Sequence, residues 1–183
     1  MAELSEFRLH PGAPAPEFAL PGVDGKTVQL RDFSDRPILV VAFWCNHCPY
    51  VQAWEGRMVD LGRRFGPRGV GFVLINSNDA RAYPDDRLEM MAQRARSKEY
   101  PFPYVQDESQ EIARAYGALV TPHVFVFGPD RRLLFQGRID DNHQRPDRVS
   151  RRYLEDALEQ ALGGRPVDPA ELPVLGCTVK WRS

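Results

Sequence analysis

The chain has 183 residues and a formal net charge of -1 at pH 7. This length suits one globular domain with a substantial core, and we predict a single domain over residues 1–183. The near-zero charge favours neither nucleic acid nor an anionic membrane surface as a partner. The sequence shows no signal peptide and no run of about 18 apolar residues that could form a membrane helix, so we expect a cytoplasmic protein.

The N-terminal part of the chain predicts a lead-in, a hairpin and a buried strand. Residues 1–16 contain three prolines and predict an irregular lead-in that runs over the surface. The Asp-Gly signal at residues 23–26 predicts a β-hairpin. The unbroken apolar run at residues 38–44 predicts an inner strand of a sheet that is covered on both faces.

The remainder of the chain predicts alternating helices and strands. Apolar residues at helical spacing predict a helix that ends at Gly66-Pro67. The further predicted elements are a strand at 70–76, a helix from about 85, a short strand at 104–105, a helix at 109–116, a hairpin of 124–127 with 133–136, and a helix from about 149 to 162. Residues 165–183 form a proline-containing tail. This order predicts an α/β sandwich with a mixed sheet, whose active site lies at the carboxyl edge of the parallel strands.

A pair of closely spaced cysteines, Cys45-Asn-His-Cys48-Pro49, directly follows the predicted inner strand. The strand would deliver both sulfurs to the start of a helix, where free N–H groups and the helix dipole favour the thiolate. A two-residue spacer also allows a disulfide across one helical turn. Half of a zinc site is the alternative, but zinc usually needs a second closely spaced ligand pair, which the sequence lacks. We therefore predict a redox-active pair that uses no metal ion and no cofactor.

His47 lies between the two cysteines. An imidazole at this position can donate a hydrogen bond to the Cys45 sulfur, or carry positive charge beside it, and so stabilise the thiolate. A thiolate stabilised in the reduced form makes the disulfide a stronger oxidant. The alternative is an exposed loop histidine without such a role. We interpret His47 as a residue that tunes the pair.

Thr121-Pro122 stands at the entry of another predicted buried strand. A proline there, opposite a reactive loop, is a candidate cis peptide, and the free backbone edge of Thr121 could then bind an extended substrate. On spacing alone, an ordinary trans proline remains the alternative. We assign Trp44 and Asn46, which flank Cys45, to substrate contact together with Thr121, although Trp44 could simply pack.

Two further features have open interpretations. The sequence Asn-Ser-Asn-Asp at residues 76–79 ends the second buried strand, so we expect it at the same sheet edge as Cys45. It either shapes the mouth of the site or forms a plain loop or helix cap. Cys177 lies outside the closely spaced pair and is either a buried inert thiol or a resolving or third redox cysteine.

The combined motifs resemble the thioredoxin-like superfamily, and more closely the AhpC/TSA-related branch shared by peroxiredoxins and thiol–disulfide oxidoreductases. The resemblance covers nearly the whole chain. The motifs that carry it are Ala15-Pro-Glu-Phe-Ala-Leu20, Asp24-Gly-Lys-Thr-Val-Gln-Leu30, Phe43-Trp-Cys-Asn-His-Cys-Pro49, Ile75-Asn-Ser-Asn-Asp79, Thr121-Pro122, Gly137-Arg-Ile-Asp140 and Gly176-Cys-Thr-Val-Lys-Trp181.

The resemblance implies a thioredoxin fold, with a mixed central sheet flanked by helices and an N-terminal extension and hairpin. It also implies that Cys45 is the nucleophile, Cys48 the resolving thiol and Pro122 a cis proline that faces them. Two features depart from the family pattern. Oxidoreductases of this fold commonly carry a buried acid on the strand before the cysteines, and residues 38–44 contain none. Peroxiredoxins carry a threonine three residues before the peroxidatic cysteine; if Cys48 takes that place, Cys45 replaces the threonine.

We therefore expect a thiol–disulfide oxidoreductase in which Cys45 attacks a substrate disulfide and Cys48 resolves the mixed disulfide. The expected partners are a disulfide-containing protein or small thiol substrate, and an electron donor such as a thioredoxin reductase or a glutathione system. The alternatives are a thiol peroxidase, a metal-binding protein that uses Cys45, His47 and Cys48, and a redox-inert binding module on the same scaffold.

Overall fold

A computed structural model describes residues 3–183, which contain nine strands and four α-helices. The strands are β1 (Ala19–Pro21), β2 (Thr27–Gln29), β3 (Ile38–Phe43), β4 (Val70–Asn76), β5 (Tyr104–Gln106), β6 (Val120–Thr121), β7 (His123–Phe127), β8 (Leu133–Gly137) and β9 (Cys177–Thr178). The helices are α1 (Pro49–Phe65), α2 (Leu88–Ser97), α3 (Glu111–Tyr116) and α4 (Tyr153–Leu162). Within residues 3–183, no helix combines the length and apolar character needed to cross a membrane.

A mixed sheet of five strands, in the order β5-β4-β3-β7-β8, forms the centre of the fold. Strands β3, β4 and β5 run parallel to one another, β7 joins β3 antiparallel, and β8 pairs antiparallel with β7. All six residues of β3 are buried between its two neighbours. The predicted mixed sheet and its inner strand are therefore confirmed.

Alternate residues of β3 point into two separate apolar clusters. Val40 and Ala42 pack on one face with Trp54 of α1. Val41 packs on the other face with Tyr116 of α3. Because both faces are covered, the strand is apolar at every position rather than at every second one.

The predicted elements all appear, but two helices begin later than predicted. The first long helix ends at Phe65, directly before Gly66-Pro67, as expected. Helix α2 begins at Leu88 because Pro84–Asp86 forms a separate 3₁₀ turn. Helix α4 begins at Tyr153, since a similar turn occupies Pro146–Arg148.

Both chain ends fold back onto the body of the protein. Residues 3–16 of the predicted lead-in lie outside the named elements, and Leu4 forms a bridge with Val174; residues 1 and 2 lie outside the described part of the chain. In the tail, β9 pairs antiparallel with β6, which places Cys177 opposite Thr121. The backbone N–H of Asp79 donates to the Lys180 carbonyl at 2.8 Å. The C-terminal tail therefore returns to the sheet edge where β3 and β4 end.

Candidate active site

The two cysteines and the Thr121-Pro122 peptide meet at the carboxyl edge of β3. Cys45 follows the strand, and Cys48 is the N-cap residue of α1. The Thr121-Pro122 bond is cis, as predicted. Thr121 contacts both thiols: its Oγ1 lies 3.2 Å from Cys45 Sγ, and its carbonyl oxygen lies 3.3 Å from Cys48 Sγ. The cis-proline segment therefore forms one wall around the pair.

The two thiols differ strongly in acidity. The pKa of Cys48 is lowered to about 5, first by interaction with the Cys45 thiol and further by the Cys177 thiol and the backbone N–H groups of Val51 and Cys177. The pKa of Cys45 is raised well above its usual value by interaction with Cys48, by burial and by the charge of Asp86. The proton is therefore held on Cys45 and the negative charge on Cys48.

This distribution of charge differs from the prediction that Cys45 is the attacking thiolate, and the identity of the attacking sulfur stays a prediction. The largest cause is the interaction with the Cys45 thiol, and the helix start adds to it. Cys48 is the N-cap residue of α1, so the free N–H groups and the positive end of the dipole act on Cys48. A cysteine at a helix N-terminus is the usual place for a lowered thiol pKa.

The thiols of Cys45 and Cys48 are almost completely shielded from solvent. Cys45 is 1 % exposed and Cys48 is 0 % exposed, whereas Cys177 is half-buried. All three cysteines are free thiols. A bulky disulfide substrate therefore cannot reach the sulfurs of Cys45 or Cys48 unless the neighbouring chain moves.

A buried carboxylate, Asp86, lies beneath the active-site loop and is fully shielded from solvent. Its Oδ1 accepts from the Asn46 backbone N–H at 2.7 Å and from Asn76 Nδ2 at 3.1 Å. Its Oδ2 contacts His47 Nδ1 at 2.5 Å and accepts from Asn78 Nδ2 at 3.1 Å. The buried acid that β3 lacks is therefore supplied by the 3₁₀ turn before α2.

The sequence did not single out Asp86 as a site residue and predicted only a helix from about residue 85. Its place offered the one signal, because it lies 10 residues after Asn76 at the polar end of β4. Asn76 and Asn78 lie at the same edge as Cys45, as expected, and both hold the Asp86 carboxylate. The 76–79 segment therefore shapes the floor of the site.

His47 faces Asp86 rather than the Cys45 sulfur. Its ring stacks on Tyr83, with centroids 5.1 Å apart and planes 8° apart, and its side chain is 24 % exposed. The predicted hydrogen bond from His47 to the Cys45 thiolate is therefore not formed, because Asp86 takes the Nδ1 atom. The potential ligand atoms of Cys45, His47 and Asp86 nevertheless lie within 4.8 Å of one another. These three side chains could exchange a proton or hold a metal ion.

The residues assigned to substrate contact make internal interactions. Trp44 is fully buried, and its indole N–H donates to the Tyr100 hydroxyl at 3.1 Å, so it packs in the core. Asn46 is 6 % exposed; its side chain donates to the Asp85 carbonyl at 2.7 Å and accepts from the Tyr104 hydroxyl at 2.9 Å. In this structure, Trp44 and Asn46 therefore position the loop and present little surface to a substrate.

The backbone edge of Thr121 is also occupied, which corrects the expectation that it is free. Strand β9 pairs with it through Cys177, and Gly176 approaches the cis-proline segment directly. A Cβ atom at Gly176 would lie 2.2 Å from the Thr121 carbonyl oxygen, so only glycine permits this approach. The C-terminal tail of the chain lies where an extended substrate was expected.

A thiol pair at a helix start, facing a cis proline on a mixed sheet, defines a thioredoxin-like redox protein. The chain belongs to the AhpC/TSA family, which it matches over residues 11–135. The family expected from the sequence motifs is therefore confirmed.

The chain is similar to several known proteins over most of its length. It is 41% identical to an uncharacterized conserved protein from Geobacillus kaustophilus, whose crystal structure superposes with a TM-score of 0.90 over 97% of this chain and 96% of that one. It is 23% identical to the thiol-disulfide oxidoreductase ResA of Bacillus thuringiensis over 70% of each chain. It is 26% identical to a chloroplastic peroxiredoxin Q of Gentiana triflora, over 63% of this chain and 50% of that protein. Distant relatives are therefore thiol oxidoreductases and peroxiredoxins.

Proposed function

We propose that this protein is a thiol–disulfide oxidoreductase that works through a reversible disulfide between Cys45 and Cys48. The observation that carries the proposal is the geometry of the site, in which Thr121, beside the cis Pro122, contacts both free thiols, and the difference in pKa between the two thiols supports it. One sulfur is ready to attack as a thiolate, and the other retains the proton until the second step. The similarity to ResA supports the same chemistry.

The charge distribution sets the order of the two steps. Once the neighbouring chain has moved aside, the Cys48 thiolate attacks a substrate disulfide, one substrate sulfur leaves as a thiolate, and a mixed disulfide forms. Cys45 then loses its proton and attacks the Cys48 sulfur, which releases the second substrate thiolate and leaves the Cys45–Cys48 disulfide. Two electrons pass to the substrate, and the reverse sequence oxidises a dithiol. This order exchanges the roles that the family resemblance implied for the two cysteines.

The second step needs an acceptor for the Cys45 proton. Asp86 lies close to the Cys45 sulfur but is fully buried, whereas His47 contacts Asp86 and reaches solvent. The proton passes from Cys45 to the Asp86–His47 pair and from there to water. His47 acts on the thiol pair through Asp86. An unchanged reduction potential in His47→Ala would remove this role.

The reduction potential of the pair, with insulin-disulfide reduction on the same sample, tests the proposal. We expect Cys45→Ser and Cys48→Ser each to abolish insulin reduction, and Cys177→Ser to retain the Cys45–Cys48 disulfide. A potential near roughly −270 mV would assign a reductase, and one near about −180 to −120 mV an oxidase or isomerase. A Cys177→Ser protein in which this disulfide never forms would overturn the proposal.

The physiological partners follow from this chemistry. The substrate is a disulfide-containing protein or a small thiol compound, and the electron donor is a thioredoxin reductase or a glutathione system. Turnover of oxidised protein with each donor, followed by NADPH consumption, distinguishes the two. The better donor is the one that supports the faster turnover, and that turnover should be lost in Cys48→Ser.

A thiol peroxidase is a second candidate, and the low pKa of Cys48 at the start of α1 favours it. Peroxide would oxidise the Cys48 thiolate to a sulfenic acid, and attack by Cys45 would expel water and form the same disulfide. Against it, Cys45 occupies the place of the peroxiredoxin threonine. Peroxide-dependent consumption of a thiol reductant, lost in Cys48→Ser, would favour this function over disulfide exchange.

A metal-binding function has weaker support. Cys45, His47 and Asp86 lie close enough to share an ion. However, the two Asp86 oxygens already contact four nitrogen donors, so a metal ion would have to displace hydrogen bonds that hold the loop. Stoichiometric metal in protein purified without added metal would favour this function.

A further inference from the structure

The C-terminal segment of the chain occupies the position next to the thiol pair in which a substrate strand was expected. Strand β9 runs antiparallel to β6 and places Cys177 directly opposite Thr121. Gly176 lies so close to the Thr121 carbonyl that no side chain fits there. The tail therefore presents a cysteine to the active site as an extended peptide substrate would.

Cys177 and Cys48 meet at Thr121: the Cys48 Sγ lies 3.3 Å from the Thr121 carbonyl oxygen, and Cys177 is the residue of β9 that pairs with Thr121. Its thiol interacts with the Cys48 sulfur, and its backbone N–H helps to stabilise the Cys48 thiolate. Cys177 also packs against the apolar cluster that contains Cys45 and Cys48. Cys45 and Cys48 are almost fully buried and Cys177 is half-buried, so Cys177 is the most accessible of the three cysteines.

We propose that Cys177 is a third redox cysteine, which links the buried pair to external thiols by forming a Cys48–Cys177 disulfide. The proposal rests on the proposed function, since it takes the Cys45–Cys48 disulfide as its starting point. The external partner is a dithiol protein or a small thiol, which attacks the Cys177 sulfur.

The first step is a disulfide exchange among the three cysteines of one chain. The Cys177 thiolate attacks the Cys48 sulfur of the Cys45–Cys48 disulfide, a new S–S bond forms, and Cys45 leaves as a thiolate that takes up a proton. No electrons leave the protein in this step. An external thiolate then attacks Cys177 and releases Cys48 as a thiolate. A second external thiol resolves the mixed disulfide, so that two electrons enter the protein.

The charges around Cys177 favour exchange after oxidation of the pair. The pKa of Cys177 is raised to about 11 by burial and by the adjacent Cys48, while Lys180 lowers it. Once Cys48 is in a disulfide, its negative charge is gone and the influence of Lys180 remains. Cys177 therefore becomes a better nucleophile in the state in which it has a disulfide to attack.

Mild oxidation of two serine variants tests the contact. We expect Cys45→Ser to lose both of its thiols and to give a cross-link between the tryptic peptide ending at Arg57 and the one ending at Lys180. The matched variant Cys48→Ser, which also retains two cysteines, should keep both thiols free. A monomeric Cys45→Ser protein that keeps both thiols, or one that only forms disulfides between chains, would overturn the proposal.

The rate of reduction of the oxidised protein tests the role of Cys177. We expect a dithiol protein to reduce the Cys45–Cys48 disulfide of Cys177→Ser at least about tenfold more slowly than that of the unaltered chain. The reason is that Cys177, the most accessible of the three cysteines, is lost. Equal rates would overturn the role of Cys177 and leave the proposed function intact. If the Cys45–Cys48 disulfide did not form in Cys177→Ser, that result would instead count against the proposed function.

Discussion

A methyl group at Gly176 should separate the C-terminal tail from the active site. The added Cβ atom would meet the Thr121 carbonyl oxygen at 2.2 Å and the Thr121 carbonyl carbon at 2.8 Å, well inside the ordinary contact of 3.4–4 Å. These neighbours are backbone atoms and cannot rotate away. Strand β9 must therefore shift from β6 in Gly176→Ala, and Cys177 must move away from Cys48.

The expected cost follows from this clash. Overpacking of a filled site typically costs about 1–3 kcal/mol, so we expect the free energy of unfolding in urea to fall by that amount. For a protein of this size, 1 kcal/mol corresponds to a fall in Tm of about 2–4 °C. Because the tail shields the pair, we also expect faster alkylation of Cys48 by iodoacetamide, measured by mass spectrometry.

Gly56→Ala is the matched control. Gly56 lies in α1 with nothing within 4 Å of an added Cβ, so alanine should stabilise the helix by up to about 1 kcal/mol and leave alkylation unchanged. If Gly176→Ala retained both the stability and the alkylation rate of the unaltered chain, the tail would not be the shield that the structure describes.

Three further predictions concern ionisable groups. The thiolate absorbance of Cys48 should appear as pH rises through about 5, and Cys45→Ala, which removes the hydrogen bond, should move this transition upward because the interaction with Cys45 is the largest cause of the low pKa; an unshifted transition would contradict this cause. Burial lowers the pKa of His123 from 6.5 to about 3, so the unfolded chain binds the proton first as pH falls. The free energy of unfolding should therefore fall as pH drops from 6.5 to about 3, by up to about 1.4 kcal/mol per pH unit. This contribution should disappear in His123→Gln. Urea unfolding at several pH values measures it. Asp86→Asn should lower the pKa of Cys45 and shift the potential of the pair, whereas Asp85→Asn, which keeps the backbone carbonyl that Asn46 contacts, should change neither.

The local elements of the fold could be predicted because short-range patterns specify them. The uninterrupted apolar residues of β3 require a strand with both faces covered, and the periodic apolar residues of α1 require one buried helical face. The Asp-Gly turn at 23–26 predicts the β1–β2 hairpin for the same reason, since its backbone requirements are local. The Cys45–Cys48 pair was predictable because its two members stand on one turn of chain.

The charge on the pair could not be predicted in the same way. The pKa of Cys48 is lowered first by the Cys45 thiol and then by Cys177, which only the fold brings near, and the exact start of α1 adds the backbone N–H of Val51. Helix ends are the least certain part of a sequence prediction because capping and packing compete there.

The sequence by itself determined the order of strands and helices and the thiol pair at the end of an inner strand, because each depends on neighbouring residues, whereas the cis proline that faces the pair was implied only by the family resemblance. The tertiary structure decided the partners of that pair. Asp86 is 39 residues from His47, and Thr121 is 73 residues from Cys48, yet each lies in contact with it. Cys177 joins them through the pairing of β9 with β6. These contacts depend on how distant segments pack and on one glycine that permits close approach. Burial and charge at the thiols are therefore properties of the folded chain.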